Sequence, residues 1–129
     1  MKMKVRLICY GDSTENLNLS MKYKVIGTKR NEHFSDDEIV YLIKRDNGAW
    51  NVYARAQVEG KTDDYPFNDG YAYYTYKLSY IEACVPFSIN DICRERLGSF
   101  WGLKLQQPSI IEIQEFIDEV NAKFIPINS

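Results

Sequence analysis

Residues 38–58 constrain the fold more than any other part of the chain, because they encode a β-hairpin in its turn and in both arms. The turn signal is Asn47-Gly48, a dipeptide that supplies the two positive φ angles of a tight turn. Residues 38–44 are rich in β-branched and aromatic side chains, which is typical of a buried strand. Residues 50–58 alternate, which predicts one shared face for Trp50, Val52, Ala54, Ala56 and Val58.

The stretch from residue 8 to residue 29 predicts the end of a strand, a short helix and an extended return. Ser13 is suited to cap the helix, because its hydroxyl can accept from the free N–H groups of the first turn. Leu17 and Met21 give the helix an apolar face. Gly27 can close the unit, since glycine tolerates backbone angles that other residues resist.

The middle of the chain predicts a polar loop followed by a long strand. Residues 59–70 contain Gly, Pro, Asp-Asp and Asn-Asp-Gly signals, yet they also hold Tyr65 and Phe67. Aromatic side chains in such a loop either dock on the core or contact a ligand. Residues 71–84 then read as a strand with Tyr71, Tyr73 and Tyr74 at its mouth.

The last third of the chain predicts two helices separated by a short extended piece. Residues 88–97 form the first helix, with Ser88 as its cap and Gly98 as its stop. Residues 99–105 are expected to be extended. Ser109 and Glu112 have the spacing of a capping box for the last helix. Its apolar stripe, which would dock on the sheet, comprises Ile110, Ile113, Ile117, Val120 and Phe124.

These elements together predict a single α+β domain over residues 1–129. Five or six mostly antiparallel strands would form a curled β-barrel with flanking helices, which is also the plan of the PUA-like folds. A chain of 129 residues is long enough for one core.

Composition narrows the functional classes. The formal net charge of −2 argues against a strong non-specific nucleic-acid binder but permits recognition of one extruded base in a pocket. The three scattered cysteines and the single histidine, His33, predict no zinc site, no other metal and no cofactor. Reduced thiols fit a cytoplasmic location. The sequence contains no apolar run of about 18 residues, so no membrane span is predicted.

Catalytic motifs are missing from the sequence, so a non-enzymatic domain is expected. There is no GxSxG, no Gly-rich phosphate loop and no HExxH. The Asp36-Asp37 and Asp63-Asp64 pairs lie in polar segments, where solvated turns are their usual role.

The pattern of a strand, Asn16, Ser20-Met21-Lys22-Tyr23 and then Val25-Ile26-Gly27-Thr28 resembles the opening of a YTH domain. It resembles the related EVE domains more loosely, and both are PUA-like nucleic-acid readers. In YTH domains this unit and a later loop build an aromatic cage for N6-methyladenine in RNA. Related domains stand at the front of McrBC-type restriction enzymes, where they read methylated bases in DNA. The resemblance implies base flipping, in which a base leaves the stack and is held between apolar walls.

The resemblance also implies a set of binding residues. Asn16 would hydrogen-bond the base edge, since an amide both donates and accepts. Gly27 would offer its carbonyl to the methylated amine. Ile26 stands where the family has its first cage tryptophan, so it would give an apolar wall without a π face. The remaining members of the expected base-binding set are Ser20, Lys22, Thr28, Tyr65, Phe67 and Tyr71, of which the three aromatic residues are alternative second walls.

The resulting hypothesis is a reader of a modified base, such as N6-methyladenine or 5-methylcytosine, that serves a restriction or defence system and prefers DNA. Lys22, Lys24, Lys29 and Arg30 either form a solvated face, which is the usual role of such a cluster, or hold phosphates beside the pocket. A fused or associated restriction subunit is an expected partner. The alternatives are an RNA N6-methyladenine reader, a PUA-like protein-interaction domain without nucleic-acid binding, and a small ASCH-like nucleoside enzyme.

Overall fold

A six-stranded mixed sheet forms the body of the structure, a computed structural model that describes residues 4–105 and 110–127. The strands lie in the spatial order β2-β5-β4-β3-β1-β6, where β1 pairs with β3 in parallel and the other pairs are antiparallel. The sheet curls into a half-barrel with flanking helices, which confirms the predicted α+β class. The six strands are β1 (Lys4–Cys9), β2 (Val25–Thr28), β3 (Glu38–Asp46), β4 (Ala49–Thr62), β5 (Tyr74–Ser88) and β6 (Ile110–Ile111).

Helices cover both faces of the sheet. Helix α1 (Thr14–Tyr23) contributes Leu17 to one apolar cluster, which we call the α1-side core. Helices α2 (Asn90–Leu97) and α4 (Gln114–Lys123) contribute to a second cluster, the α4-side core, and the short helix α3 (Trp101–Lys104) lies beside it. Successive residues of β3 enter the two cores in turn, as a pleated strand requires.

The predicted hairpin is present, but its second arm does not keep one face. Asn47 and Gly48 have φ angles of 51° and 82°, which confirms the turn. The register shifts between Val52 and Ala54, and this bulge turns the strand over. Val52 therefore belongs to the α4-side core, whereas Ala54 belongs to the α1-side core, and the prediction of a single shared face was wrong.

The first helix starts as predicted and ends differently. The Ser13 hydroxyl accepts a hydrogen bond from the Asn16 backbone N–H at 3.1 Å, which confirms the cap. Lys24, with a φ of 57°, ends the helix in the left-handed region, and its N–H donates to the Ser20 carbonyl. The prediction that Gly27 closes this unit was wrong, because Gly27 lies within β2.

The predicted long strand and last helix are present with different bounds, whereas the piece expected to be extended is helical. Strand β5 begins at Tyr74 and continues to Ser88. Residues 101–104 form α3 and are not extended. The last helix begins only at Gln114, because Ile110 and Ile111 pair with β1 as a strand. The predicted cap Ser109 lies outside the described residues.

Candidate nucleic-acid interface

Asn16 lies in the first turn of α1 with its side chain buried. The residue is 5% exposed, and its Oδ1 accepts no hydrogen bond from any described residue. A buried carbonyl oxygen without a donor costs about 1–3 kcal/mol. Asn16 is therefore the described residue whose side chain most needs a partner from outside the domain.

Ser20 and Ile26 are placed inside the protein. Tyr10 donates its hydroxyl proton to Ser20 Oγ at 2.7 Å, and both residues are buried. Burial raises the pKa of the Tyr10 phenol, so that this group remains a donor at neutral pH. Ile26 is fully buried in the α1-side core. Neither side chain offers an open surface to a ligand in this arrangement.

Gly27 is covered by the loop that joins β4 to β5. A Cβ on Gly27 would lie 2.7 Å from Ala72 Cβ and 3.2 Å from the Phe67 ring, so only glycine permits this approach. Phe67 is 7% exposed. The ring of Phe67 thus occupies the space beside Gly27 where the sequence predicted the slot for a base.

An aromatic cluster fixes this loop. The Phe67 ring lies 5.0 Å from Tyr71 and 5.8 Å from Tyr65, and Tyr71 stacks on Tyr10 at 6.4 Å. The Tyr65 hydroxyl donates to the Asn68 carbonyl at 2.8 Å and accepts from the Ala72 N–H at 3.1 Å. The three aromatic residues predicted as alternative walls therefore gather in one place, and Phe67 is the one in contact with Gly27.

The paired strands β2 and β5 and their flanks form a basic surface that we call the β2–β5 edge. Residues 16–31 and 70–81 contain no Asp or Glu. Their cations are exposed and form no ion pair with the described residues: they are Lys22, Lys24, Lys29, Arg30 and Lys77. The sequence pattern had indicated the first four, whereas Lys77 joins them only because β5 pairs with β2.

Exposed tyrosines accompany these cations. Tyr73 is 72% exposed and Tyr23 is 52% exposed. Lys29 Nζ lies 6.0 Å from the centre of the Tyr73 ring, and Lys22 Nζ lies 5.2 Å from that of Tyr23. Thr28 adds no free group, since it is buried and its hydroxyl donates to the Arg30 carbonyl at 2.5 Å. Flat rings beside free cations suit bases and phosphates respectively.

The cysteines and the histidine are the side chains that nucleophilic catalysis would most readily use. Burial raises the pKa of Cys9 and of Cys93 to about 12 each, and that of Cys84 to about 11, so the thiols stay protonated at neutral pH. His33 is exposed in a loop. No three metal-ligating side chains cluster anywhere in residues 4–105 and 110–127. No helix within those ranges has the length and apolar character to cross a bilayer.

Comparisons with known proteins identify the fold. No family model and no curated protein matches the sequence. The Mmi1 YTH domain in complex with RNA matches with a TM-score of 0.66 at 17% identity, over 94% of this chain and 77% of that chain. A second complex of this domain with RNA gives 0.67 at 18%, over 94% and 81%. The Mmi1 YTH domain on its own gives 0.63 at 18%, over 92% and 96%. The chain therefore adopts the fold of YTH domains.

Proposed function

We propose that this domain is a reader of single-stranded RNA. The domain would bind the sugar-phosphate chain along the β2–β5 edge and would hold one modified base in a pocket beside Gly27. The β2–β5 edge is the observation that carries the proposal. It concentrates five free cations in a chain whose net charge is −2. A local surface of this kind attracts phosphates even when the whole molecule is acidic.

The base would enter where Phe67 now lies. The hydrogen-bonding edge of the base would contact the Asn16 amide, whose Oδ1 lacks a donor among the described residues. The Gly27 carbonyl would accept from the exocyclic amine, as the YTH resemblance implies. Phe67 would have to leave Gly27 first, and its ring would then be available to stack on the base. Stacking on an aromatic side chain contributes about 1–3 kcal/mol, which can offset the cost of moving the ring.

RNA is preferred to DNA because two of the solved structures with this fold are complexes with RNA. A restriction setting, a DNA target and a nuclease partner have no comparable support. The preferred modification is methylation, with N6-methyladenine ahead of 5-methylcytosine, because Asn16 suits an adenine edge.

Fluorescence anisotropy with labelled heptanucleotides tests the proposal. One RNA carries a central N6-methyladenosine, one is unmethylated, and two DNA strands of the same sequence match them. We expect the methylated RNA to bind most tightly. Asn16→Ala should reduce the preference for the methylated RNA while leaving the fold intact, because it removes a buried oxygen that has no partner.

The phosphate contacts are tested separately by salt dependence. Lys29→Ala with Lys77→Ala should weaken binding to all strands alike and lower the slope of log K against log salt by about 0.7 for each lost contact. Lys123→Ala, an exposed lysine on α4, is the matched control and should change neither quantity. Equal affinity for methylated and unmethylated strands, together with no effect of Asn16→Ala, would refute the reader proposal.

A further inference from the structure

An open cleft of about 420 Å³ lies between the end of β4 and the start of β5, next to the loop that carries Phe67. Its walls include Lys61, Asp63, Tyr65, Tyr73 and Tyr74. This volume is within the range of about 300–1,000 Å³ that is typical of sites for small ligands. The proposed pocket at Gly27 does not account for it.

The walls of the cleft present tyrosine rings to solvent. Tyr73 is 72% exposed, Tyr65 is 39% exposed and Tyr74 is 38% exposed. Lys61 Nζ lies 5.5 Å from the centre of the Tyr74 ring. Proteins that bind single strands use exposed aromatic rings beside basic side chains, because every base has a face that can stack on a ring.

Asp63 decides what kind of group the cleft can accept. Its side chain is exposed, and it forms no ion pair with any described residue. A carboxylate repels phosphate but accepts hydrogen bonds from the exocyclic amine of a base, as Asp and Glu do with cytosine N4. A base therefore suits the cleft, while its phosphate would lie towards Lys29 and Lys61.

The cleft adjoins the loop that covers Gly27. Tyr65 lines the cleft, and its ring packs at 90° against Phe67 with 5.8 Å between centres. The Tyr73 N–H donates to the Thr28 carbonyl at 3.0 Å, which joins the cleft to the strand that carries Gly27. A strand that runs along the β2–β5 edge would reach both places.

We propose that this cleft is a second base subsite, which binds a neighbouring base of the same single strand and prefers adenine or cytosine to uracil. Uracil lacks the exocyclic amine that Asp63 would accept. The proposal rests on the proposed function, because it assumes that single-stranded RNA binds along the β2–β5 edge. It adds a second specificity, for the neighbour of the modified base, that depends on different residues.

Unmodified RNA heptamers of adenine, cytosine and uracil test the subsite by anisotropy. Wild-type protein should bind oligo(A) and oligo(C) at least tenfold more tightly than oligo(U). Asp63→Ala should reduce this ratio to about threefold or less without weakening the binding of oligo(U), because it removes the acceptor for the exocyclic amine. Asp118→Ala, at an exposed carboxylate on α4, is the control and should keep the ratio.

Tyr74→Ala should weaken the binding of all three heptamers at least fivefold, because a stacking surface is lost. Tyr80→Ala is its match, since Tyr80 lies on the same strand, is 43% exposed and lines a different cavity. Circular dichroism and thermal unfolding establish that each variant folds.

The failure of the subsite and the failure of the reader function give different results. If wild-type protein binds the heptamers without an amine preference, or if Asp63→Ala keeps that preference, the subsite is refuted. The reader function then stands or falls with the methylated strand and Asn16→Ala. If wild-type protein binds no heptamer and no methylated strand at low salt, both proposals are refuted together.

Discussion

Charged side chains have different surroundings at β1 and at the β2–β5 edge, which lie towards opposite ends of the sheet. At β1, the Arg6 side chain is 2% exposed and donates to Glu38 Oε1 at 2.5 Å, to Glu32 Oε2 at 3.3 Å and to the His33 carbonyl at 2.9 Å. Its guanidinium also lies 4.3 Å from the centre of the Phe34 ring. At the β2–β5 edge, by contrast, five exposed cations have no carboxylate partner among the described residues.

This difference shows that pairing and burial, more than net charge, separate structural charges from available ones. Arg6 is held by groups that neutralise it, so it cannot serve a ligand without disrupting the core. Lys29 and Lys77 keep their hydration and their freedom to move, so they can contact a phosphate at little cost. The formal charge of −2 sums over structural and available charges alike, so it does not reveal the basic β2–β5 edge.

Removing a buried partner should give the largest effect. Glu38 is 1% exposed, and Glu38→Ala leaves the Arg6 guanidinium buried with its closest carboxylate missing. We expect the free energy of unfolding to fall by about 3–5 kcal/mol, measured by urea denaturation. The loss should appear as a lower midpoint with little change in the slope of the transition.

The substitution to compare with Glu38→Ala is Lys77→Ala at the β2–β5 edge. Lys77 is exposed on β5 and has no ion pair with any described residue, so the free energy of unfolding should change by no more than about 0.5 kcal/mol. If the two substitutions had similar effects on stability, the division between structural and available charges would be wrong.

The second prediction concerns what holds the β2–β5 edge in place of ion pairs. A methyl group at Gly27 would lie 2.7 Å from Ala72 Cβ, which forces backbone or loop to shift. Gly27→Ala should therefore destabilise the protein by about 1–3 kcal/mol through overpacking. The measurement is the thermal unfolding midpoint, with chemical denaturation for the free energy.

Gly60→Ala is the control, since a Cβ there would meet no atom within 4 Å. Its effect should be neutral or slightly stabilising, by up to about 1 kcal/mol. A neutral Gly27→Ala would show that Phe67 and Ala72 do not press on β2, and that the edge is held by backbone hydrogen bonds alone.

The parts of the fold that sequence could predict are those encoded within short segments. The turn at Asn47-Gly48 and the cap at Ser13 each depend on residues that are neighbours in sequence, and both are confirmed. The break in the hairpin face at Val52 was not predictable, because a bulge arises from pairing with two other strands at once.

The sequence did not predict how the residues of the candidate site are arranged. Phe67 and Gly27 are in contact, and this closure depends on how residues 59–73 fold back across β2. Lys77 was missed because one lysine in a strand gives no signal until its partner strand is known. Whether these residues bind a base stays a prediction.

The third prediction examines a charge that is paired but only partly buried, and it should give the smallest effect. Asp46, beside the hairpin turn, accepts hydrogen bonds from Lys44, from the Tyr53 hydroxyl and from Asn51 Nδ2 at 3.1 Å. Its side chain is 32% exposed. The bond from Lys44, followed by those from Tyr53 and Asn51, lowers the pKa of Asp46 from 3.8 to about 2.

A lowered pKa in the folded state means that ionised Asp46 contributes stability above pH 4, and that this contribution is lost as the pH falls towards 2. Wild type should therefore have a higher urea midpoint than Asp46→Asn between pH 7 and 5, and the difference should shrink between pH 4 and 2. A difference that stays constant down to pH 2 would show that the charge of Asp46 adds no stability. Pairing without full burial would then be insufficient to make a charge structural.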